Sequence, residues 1–211
     1  MSRLIVFDMD GVLVDIESSW VYVHRHFGVD NNHSLQAYLD GEIDDMEFIR
    51  RDVALWLDKD PSLTMDKIRR VLADAPMMNG AAETMRRLKE MGCKTAIVSA
   101  GIDVLAERVA VELRMDLFYA NGFRADRAGK LTGEGILNVG LGEKGDKVDM
   151  IADLLGYEKD NVISVGNSRY DIPMFASSGI GIAFCPIDED VRREADRVIN
   201  EKNLIKVLDV I

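Results

Sequence analysis

Two aspartates lie directly after the first apolar run of the chain, and their spacing suits shared chemistry. The apolar run covers residues 4–7, and Asp8 and Asp10 follow it. Because side chains of an extended segment repeat with a period of two, both carboxylates point to the same side. Two carboxylates beside a buried strand are desolvated and repel each other, and a bound cation would offset both effects. The alternative interpretation is a solvated strand end with an Asx turn at Gly11.

Polar residues also follow the later apolar runs. Ser99 comes after the run 96–98, and Asn167 and Asp171 come after the run 162–165. In open α/β sheets ligands bind at the carboxyl ends of the strands, so we predict that these residues share a site with the two aspartates. The competing interpretation makes Ser99 and Asp171 ordinary helix or turn caps.

Short apolar runs alternate with helical patterns along most of the chain. The runs have the length of buried strands, and several of the helical patterns end at glycine, a frequent helix terminator. The strand-like runs cover residues 4–7, 95–98, 162–165 and 180–184, and the helical patterns cover 82–91, 104–115 and 147–155. This alternation predicts an α/β fold with a doubly wound, mainly parallel sheet.

The segment 15–76 departs from this alternation. It contains no strand-like run but several amphipathic helical stretches, which glycine and proline residues separate. Because the segment interrupts the sheet after its first strand, we predict a small all-helical cap inserted there. The core domain would then comprise residues 1–14 and 77–211.

The charge balance limits the partners to consider. The 211 residues include 37 Asp and Glu against 26 Lys and Arg, a formal net charge of −11, and the basic residues are scattered. We therefore expect neither nucleic acid nor an anionic membrane as a partner. A phosphate site would have to be built locally from a metal ion, a lysine and backbone amides. No GxGxxG follows the first strand and no GxxxxGK[ST] occurs, which excludes the usual nucleotide-binding loops.

The cysteines and the start of the sequence bear on the compartment. Cys93 and Cys185 lie far apart beside apolar runs, which suits a reducing compartment better than a disulfide framework. The apolar run at 4–7 is too short for a signal peptide or a membrane span. We expect a cytoplasmic protein.

Four segments, in order along the chain, carry a resemblance to a known family. They are Asp8-Met9-Asp10-Gly11-Val12-Leu13-Val14, Val98-Ser99-Ala100-Gly101, Lys144 before Gly145-Asp146, and Gly166-Asn167-Ser168-Arg169-Tyr170-Asp171. Together they resemble the four motifs of the haloacid dehalogenase superfamily, and the chain is most similar to its phosphoserine phosphatase group. The resemblance implies a Mg²⁺-dependent phosphatase that acts on a small phosphorylated metabolite, as a monomer or a homodimer.

The resemblance also implies a role for each motif residue. Asp8 would form a covalent phosphoryl-aspartate, and Asp10 would give a proton to the leaving group and take one from water. Ser99 and Lys144 would hold the phosphoryl oxygens as charge develops on them. The implied substrate-binding residues are Ser99, Ala100, Gly101, Lys144 and Glu17, and the implied Mg²⁺ ligands are Asp8, Asp10, Asn167 and Asp171.

Three positions depart from the family pattern. Asn167 replaces an aspartate, and the lost negative charge predicts weaker Mg²⁺ binding. Tyr170 lies where the phosphoserine phosphatases usually have asparagine. Asp52 aligns with the arginine that binds the substrate carboxylate in that group, which disfavours phosphoserine as the substrate.

Two other functions remain open from the sequence. A non-catalytic binding or regulatory protein could retain this fold with a weakened metal site, although the retention of Asp8, Asp10, Ser99 and Lys144 argues against it. A phosphotransferase or mutase could pass the phosphoryl group from Asp8 to an acceptor other than water, because such enzymes share the four motifs.

Overall fold

Seven strands form one sheet in the computed structural model, which describes residues 2–211. The strands are β1 (Leu4–Phe7), β2 (Lys94–Ile102), β3 (Leu117–Ala125), β4 (Leu131–Ile136), β5 (Val162–Gly166), β6 (Ile180–Phe184) and β7 (Arg197–Ile199). Their order across the sheet is β4-β3-β2-β1-β5-β6-β7. The β3–β4 pair is antiparallel, and the other pairs are parallel. The predicted doubly wound, mainly parallel α/β fold is therefore confirmed.

Helices cover both faces of this sheet. Those found in residues 2–211 are α1 (Ser19–Phe27), α2 (Asn32–Leu39), α3 (Asp45–Lys59), α4 (Met65–Ala73), α5 (Ala81–Glu90), α6 (Asp103–Leu113), α7 (Lys144–Leu155), α8 (Ile172–Ala176) and α9 (Glu189–Glu194). Ile5 and Phe7 share a buried cluster with residues of α5 and α6, whereas Leu4 and Val6 share another with residues of α7. Strand β1 is therefore apolar at every position because both of its faces are covered.

The strand order reverses at β1, which pairs with β2 on one side and with β5 on the other. In open α/β sheets a crevice opens at such a reversal, beyond the carboxyl ends of the strands. This topology places the residues that follow β1, β2 and β5 along one edge of the sheet.

Residues 15–76 contain the four helices α1 to α4 and no strand. Side chains at three helix starts, Ser18, Asp44 and Thr64, accept hydrogen bonds from backbone amides, which fixes where α1, α3 and α4 begin. Buried apolar side chains of α1, α3 and α4 belong to the same cluster as Ile5 and Phe7 of β1. The division into a cap of residues 15–76 and a core of 1–14 and 77–211 stays a prediction.

The β3–β4 hairpin packs against these helices. Leu131 donates a backbone hydrogen bond of 2.9 Å to the carbonyl oxygen of Leu63, and Met65 donates one of 2.9 Å to that of Gly129. The predicted strand runs omitted this hairpin. Within residues 2–211, no helix is long and apolar enough to span a membrane.

Candidate active site

Asp8 directly follows β1 and is itself followed by a tight turn. Its backbone amide donates a 2.9 Å hydrogen bond to the carbonyl oxygen of Val165, and Gly11 closes the turn with a 3.0 Å bond to the carbonyl oxygen of Val14. Gly11 has φ +75°, a conformation that favours glycine. A side chain at this position would also clash with the amide group of Asn167. Glycine therefore permits both the turn and the close approach of Asn167.

Lys144 lies between two carboxylates at the edge of the sheet. Its buried Nζ is 2.9 Å from Asp8 Oδ1 and 2.6 Å from Asp171 Oδ1. The other oxygen of Asp171, Oδ2, accepts hydrogen bonds of 2.8 Å and 2.9 Å from the backbone amides of Asn167 and Ser168. Residues distant in the sequence thus meet around one ammonium group.

Asp10 is held by the first turn of α1. The backbone amide and the hydroxyl of Ser19 both donate to Asp10 Oδ2, at 2.7 Å and 2.8 Å. The Ser19 hydroxyl accepts a 2.9 Å bond from the backbone amide of Ile102, so its single proton must go to Asp10. The second oxygen of Asp10, Oδ1, is buried and has no hydrogen-bond partner within residues 2–211.

Ser99, Ala100 and Gly101 lie near the end of β2 and approach Asp10. The backbone amide of Gly101 donates a 3.1 Å bond to the buried Ser99 hydroxyl. A side chain on Gly101 would clash with Ser19 Oγ and with Asp10 Oδ2. The absence of a side chain there lets the loop 99–101 pack closely against Asp10 and Ser19.

Burial and neighbouring charges change the pKa values of these groups. The pKa of Asp8 is raised to about 7, mainly by burial; Asp171 and Asp10 contribute to the rise, and Lys144 opposes it. Burial also raises the pKa of Asp10, although the Ser19 hydrogen bonds oppose that rise. Burial alone would lower the pKa of Lys144, but Asp171 and Asp8 together raise it, so the ammonium stays protonated. Three carboxylates around one ammonium leave an excess of negative charge that a cation would neutralise.

Comparison with known proteins decides the family. A family model described as haloacid dehalogenase-like hydrolase matches residues 2–179. The phosphoserine phosphatase of Methanocaldococcus jannaschii is 30% identical over 99% of this chain and 97% of its own length. The chain belongs to the haloacid dehalogenase-like hydrolases, in their phosphoserine phosphatase-like group.

Solved structures of phosphoserine phosphatases have the same fold. A substrate-bound complex superposes with a TM-score of 0.85 and 27% identity, covering 100% of this chain and 99% of that chain. A phospho-aspartyl intermediate analogue superposes with a TM-score of 0.84 and 28% identity, over 100% of this chain and 99% of that chain. Similarity to this hydrolase group therefore extends over the whole chain.

The oxygen atoms near Asp8 fit the Mg²⁺ that this hydrolase family implies. Mg²⁺ prefers carboxylate and amide oxygens, and the carboxylate of Asp8 and the amide side chain of Asn167 are both buried. The side chain of Asn167 approaches Gly11, in the turn that joins Asp8 and Asp10. No three Asp, Glu, His or Cys side chains within residues 2–211 form a metal cluster by themselves, so the amide of Asn167 would have to complete the set.

Asp171 has a different place in the site from the other predicted ligands. Its Oδ1 accepts from Lys144 and its Oδ2 from two backbone amides, so the structure gives it the role of positioning Lys144. Direct binding of Mg²⁺ by Asp171 stays a prediction.

Two residues that sequence comparison linked to the substrate lie outside this cluster. The Glu17 side chain is 65% exposed and forms an ion pair with Arg25. Asp52 is 3% exposed and accepts hydrogen bonds of 3.1 Å and 3.3 Å from Asn31. Its Oδ2 is also 3.4 Å from His24 Nε2. Glu17 as a substrate-binding residue stays a prediction.

Sequence reasoning missed three residues that organise this hydrolase site. Ser19 holds Asp10, and Trp20 and Asn121 both donate to the carbonyl oxygen of Ala100, at 3.0 Å and 3.3 Å. The helical pattern after Glu17 could have indicated a serine near a helix start. No local signal indicated that these side chains reach across to other elements.

Proposed function

We propose that this chain is a Mg²⁺-dependent phosphomonoesterase that hydrolyses a small phosphorylated metabolite through a phosphoryl-aspartate on Asp8. The observation that carries the proposal is the buried Asp8–Lys144–Asp171 arrangement, with Asp10 two residues from the nucleophile. Similarity to the intermediate analogue of a phosphoserine phosphatase supports the covalent route.

The first step forms the phosphoryl-enzyme. Lys144 holds Asp8 Oδ1, which leaves Oδ2 to attack phosphorus while the bond from phosphorus to the leaving oxygen breaks. Asp10 gives its proton to that oxygen, so an alcohol departs. Because Ser19 already donates twice to Asp10 Oδ2, the transferable proton is assigned to Oδ1.

The second step returns the enzyme to its starting state. Water attacks phosphorus, the bond to Asp8 breaks, and Asp10 takes the proton from the water. Ser99 and Lys144 hold the phosphoryl oxygens during both steps. Mg²⁺, when held by Asp8, Asp10 and Asn167, would neutralise charge on the carboxylates and on the phosphoryl group.

The buried position of Asp52 supports a substrate that lacks a carboxylate. Its neighbours Arg50 and Arg51 form ion pairs with Glu134 and Glu47. Both arginines thus already have carboxylate partners within the chain. Phosphoethanolamine, which is phosphoserine without its carboxylate, is therefore expected to be the better substrate of the two.

Release of phosphate from an aryl phosphate tests the activity. We expect turnover with Mg²⁺, none after chelation, and a loss of at least about a thousandfold for Asp8→Asn, because the nucleophile is removed. Acid-quenched wild-type enzyme should carry a phosphoryl group that hydroxylamine removes, and Asp8→Asn should carry none. Hydrolysis that survives Asp8→Asn would contradict the proposed mechanism.

We further propose a cytoplasmic location, because Cys93 and Cys185 are both free, as expected of a reducing compartment. The oligomeric state, a monomer or a homodimer, stays a prediction that light scattering can check.

A further inference from the structure

A tryptophan at the start of α1 contacts the loop that is proposed to bind phosphate. The indole Nε1 of Trp20 donates a 3.0 Å hydrogen bond to the carbonyl oxygen of Ala100. That carbonyl carbon is bonded to the nitrogen of Gly101, and the Gly101 amide donates a 3.1 Å bond to Ser99 Oγ. One planar peptide group therefore lies between the indole and the serine hydroxyl.

The direction of the hydrogen bond between Gly101 and Ser99 determines where the Ser99 hydroxyl can donate its proton. Ser99 Oγ accepts from Gly101, so the hydroxyl proton is left to donate elsewhere, and a phosphoryl oxygen is the acceptor that the proposed function supplies. A donor on the Ala100 carbonyl also polarises the peptide group and strengthens its N–H as a donor. The indole thus orients and strengthens the contact that aligns Ser99.

The Trp20 ring is held in place by a second tryptophan. Trp20 stacks on Trp56 with ring centroids 5.5 Å apart and an interplanar angle of 20°. Phe123 contacts both rings edge-on, with centroids at 6.2 Å and 5.7 Å. Trp56 is fully buried and donates a 2.8 Å bond to His24 Nδ1. The two indoles share one stack but donate to different groups.

We propose that Trp20 is a positioning residue that aligns the Ser99 hydroxyl for phosphate through the Ala100–Gly101 peptide group. This inference rests on the proposed function, since it takes phosphate as the ligand of loop 99–101. It assigns Trp56 a different role, which is to support the stack and the interior of the helices around it.

Phenylalanine substitutions at the two positions form a matched pair. Trp20→Phe keeps an aromatic ring but removes the shorter of two hydrogen bonds to the Ala100 carbonyl, leaving the 3.3 Å bond from Asn121 Nδ2. We expect affinity for inorganic phosphate, measured by calorimetry with Mg²⁺, to fall about threefold to tenfold. Trp56→Phe leaves the Ala100 bond in place but removes the donor to buried His24. We expect it to lower the melting temperature and to leave phosphate affinity within about twofold of wild type.

A double-mutant cycle tests whether Trp20 acts through Ser99. In a Ser99→Ala background, Trp20→Phe should change phosphate affinity by less than about twofold, because the hydroxyl that Trp20 aligns is gone. Phosphate should also change the tryptophan fluorescence of Trp56→Phe, which keeps Trp20, more strongly than that of Trp20→Phe. These readouts separate alignment of the loop from general support of the fold.

Three results would overturn the inference: equal losses of affinity in the two phenylalanine variants, no loss in Trp20→Phe, or additive effects with Ser99→Ala. Asp8→Asn keeps this test apart from that of the proposed function. If hydrolysis survived Asp8→Asn while phosphate affinity still depended on Trp20, the proposed function would fail and this inference would stand. If Asp8→Asn abolished hydrolysis and Trp20→Phe bound phosphate like wild type, only this inference would fail.

Discussion

The edge of the sheet and the helices α1 to α4 hold their buried polar groups in different ways. At the sheet edge, Lys144 pairs with Asp8 and Asp171 directly. Between the helices, the buried His24 accepts from Trp56, and Asp52 accepts from the amide of Asn31. The sheet edge gathers charges that must act on a phosphoryl group, whereas the helices satisfy their polar groups internally. Substitutions at the sheet edge should therefore reduce activity, whereas substitutions between the helices should reduce stability and leave activity nearly unchanged.

Removing the shared ammonium is expected to have the largest effect. Lys144→Met would leave the buried carboxylates of Asp8 and Asp171 without their counter-ion, which costs about 3 to 5 kcal/mol of unfolding free energy. Phosphate release should fall at least about a hundredfold, because a group that stabilises the transition state is lost. Chemical denaturation and aryl phosphate hydrolysis measure the two effects.

Lys147→Met is the matched control for this change. Its ammonium lies 5.0 Å from the centroid of the Tyr119 ring and is not part of the catalytic cluster. We expect activity within about twofold of wild type, since substitutions outside buried networks and the site have small effects. Equal losses in the two variants would remove the distinction between the sheet edge and its surroundings.

The second prediction concerns Asp52, the buried aspartate among helices α1 to α4. Asp52→Ala would leave the Asn31 amide without its acceptor and remove the carboxylate 3.4 Å from His24 Nε2, so we expect a loss of about 1 to 3 kcal/mol in unfolding free energy. The kcat for an aryl phosphate should stay within about twofold, because Asp52 does not touch the catalytic cluster. Asp58→Ala, an exposed position on the same helix, should change neither quantity. A drop in kcat without a loss of stability would place Asp52 in the catalytic site.

The same two regions differ in how far their sequence predicts them. Asp8, Ser99 and Asn167 each follow a short apolar run, so the strand-like runs and the rule that ligands bind at the carboxyl ends of such strands predicted one shared edge for them. The role of Lys144 came from the family resemblance, because a lone lysine carries no local signal.

The missed features depend on contacts between distant segments. Strand β4 reads Leu-Thr-Gly-Glu-Gly-Ile, whose glycines and polar residues hide its strand character. Its pairing with β3 and packing against Met46 and Ile49 of α3 supply what the sequence does not show. Trp20 and Ser19 read as part of an amphipathic helix, and only the fold brings them to loop 99–101.

The third prediction concerns Asp103, whose carboxylate, unlike that of Asp8, has no lysine beside it in the described chain. Asp103 Oδ1 is buried without a hydrogen-bond partner in the described chain, and burial raises the pKa of this carboxyl to about 6. Its pKa in the unfolded chain is lower, so the folded state binds more protons between those values. Unfolding free energy should therefore fall as the pH rises through about 4 to 6.

Asp103→Asn removes this dependence. At pH 7.5 we expect the variant to gain about 1 to 2 kcal/mol over wild type, and at pH 4 the gain should disappear. Glu112→Gln, an exposed change on the same helix, should show no such pH window. A constant difference across this range would mean that the gain does not come from the charge of Asp103.

The prediction with the smallest expected effect concerns Asn167, whose amide belongs to the proposed Mg²⁺ site. Asn167→Asp restores a negative charge beside Asp8 and Asp10, so the Mg²⁺ concentration for half-maximal activity should fall about threefold to tenfold. Competition with a Mg²⁺-sensitive dye measures binding without turnover and should show the same shift. Asn32→Asp, an exposed change on α2, should leave it unaltered. An unchanged or weaker affinity in Asn167→Asp would mean that residue 167 does not contact the ion, and that the charge excess around Asp8 is balanced elsewhere.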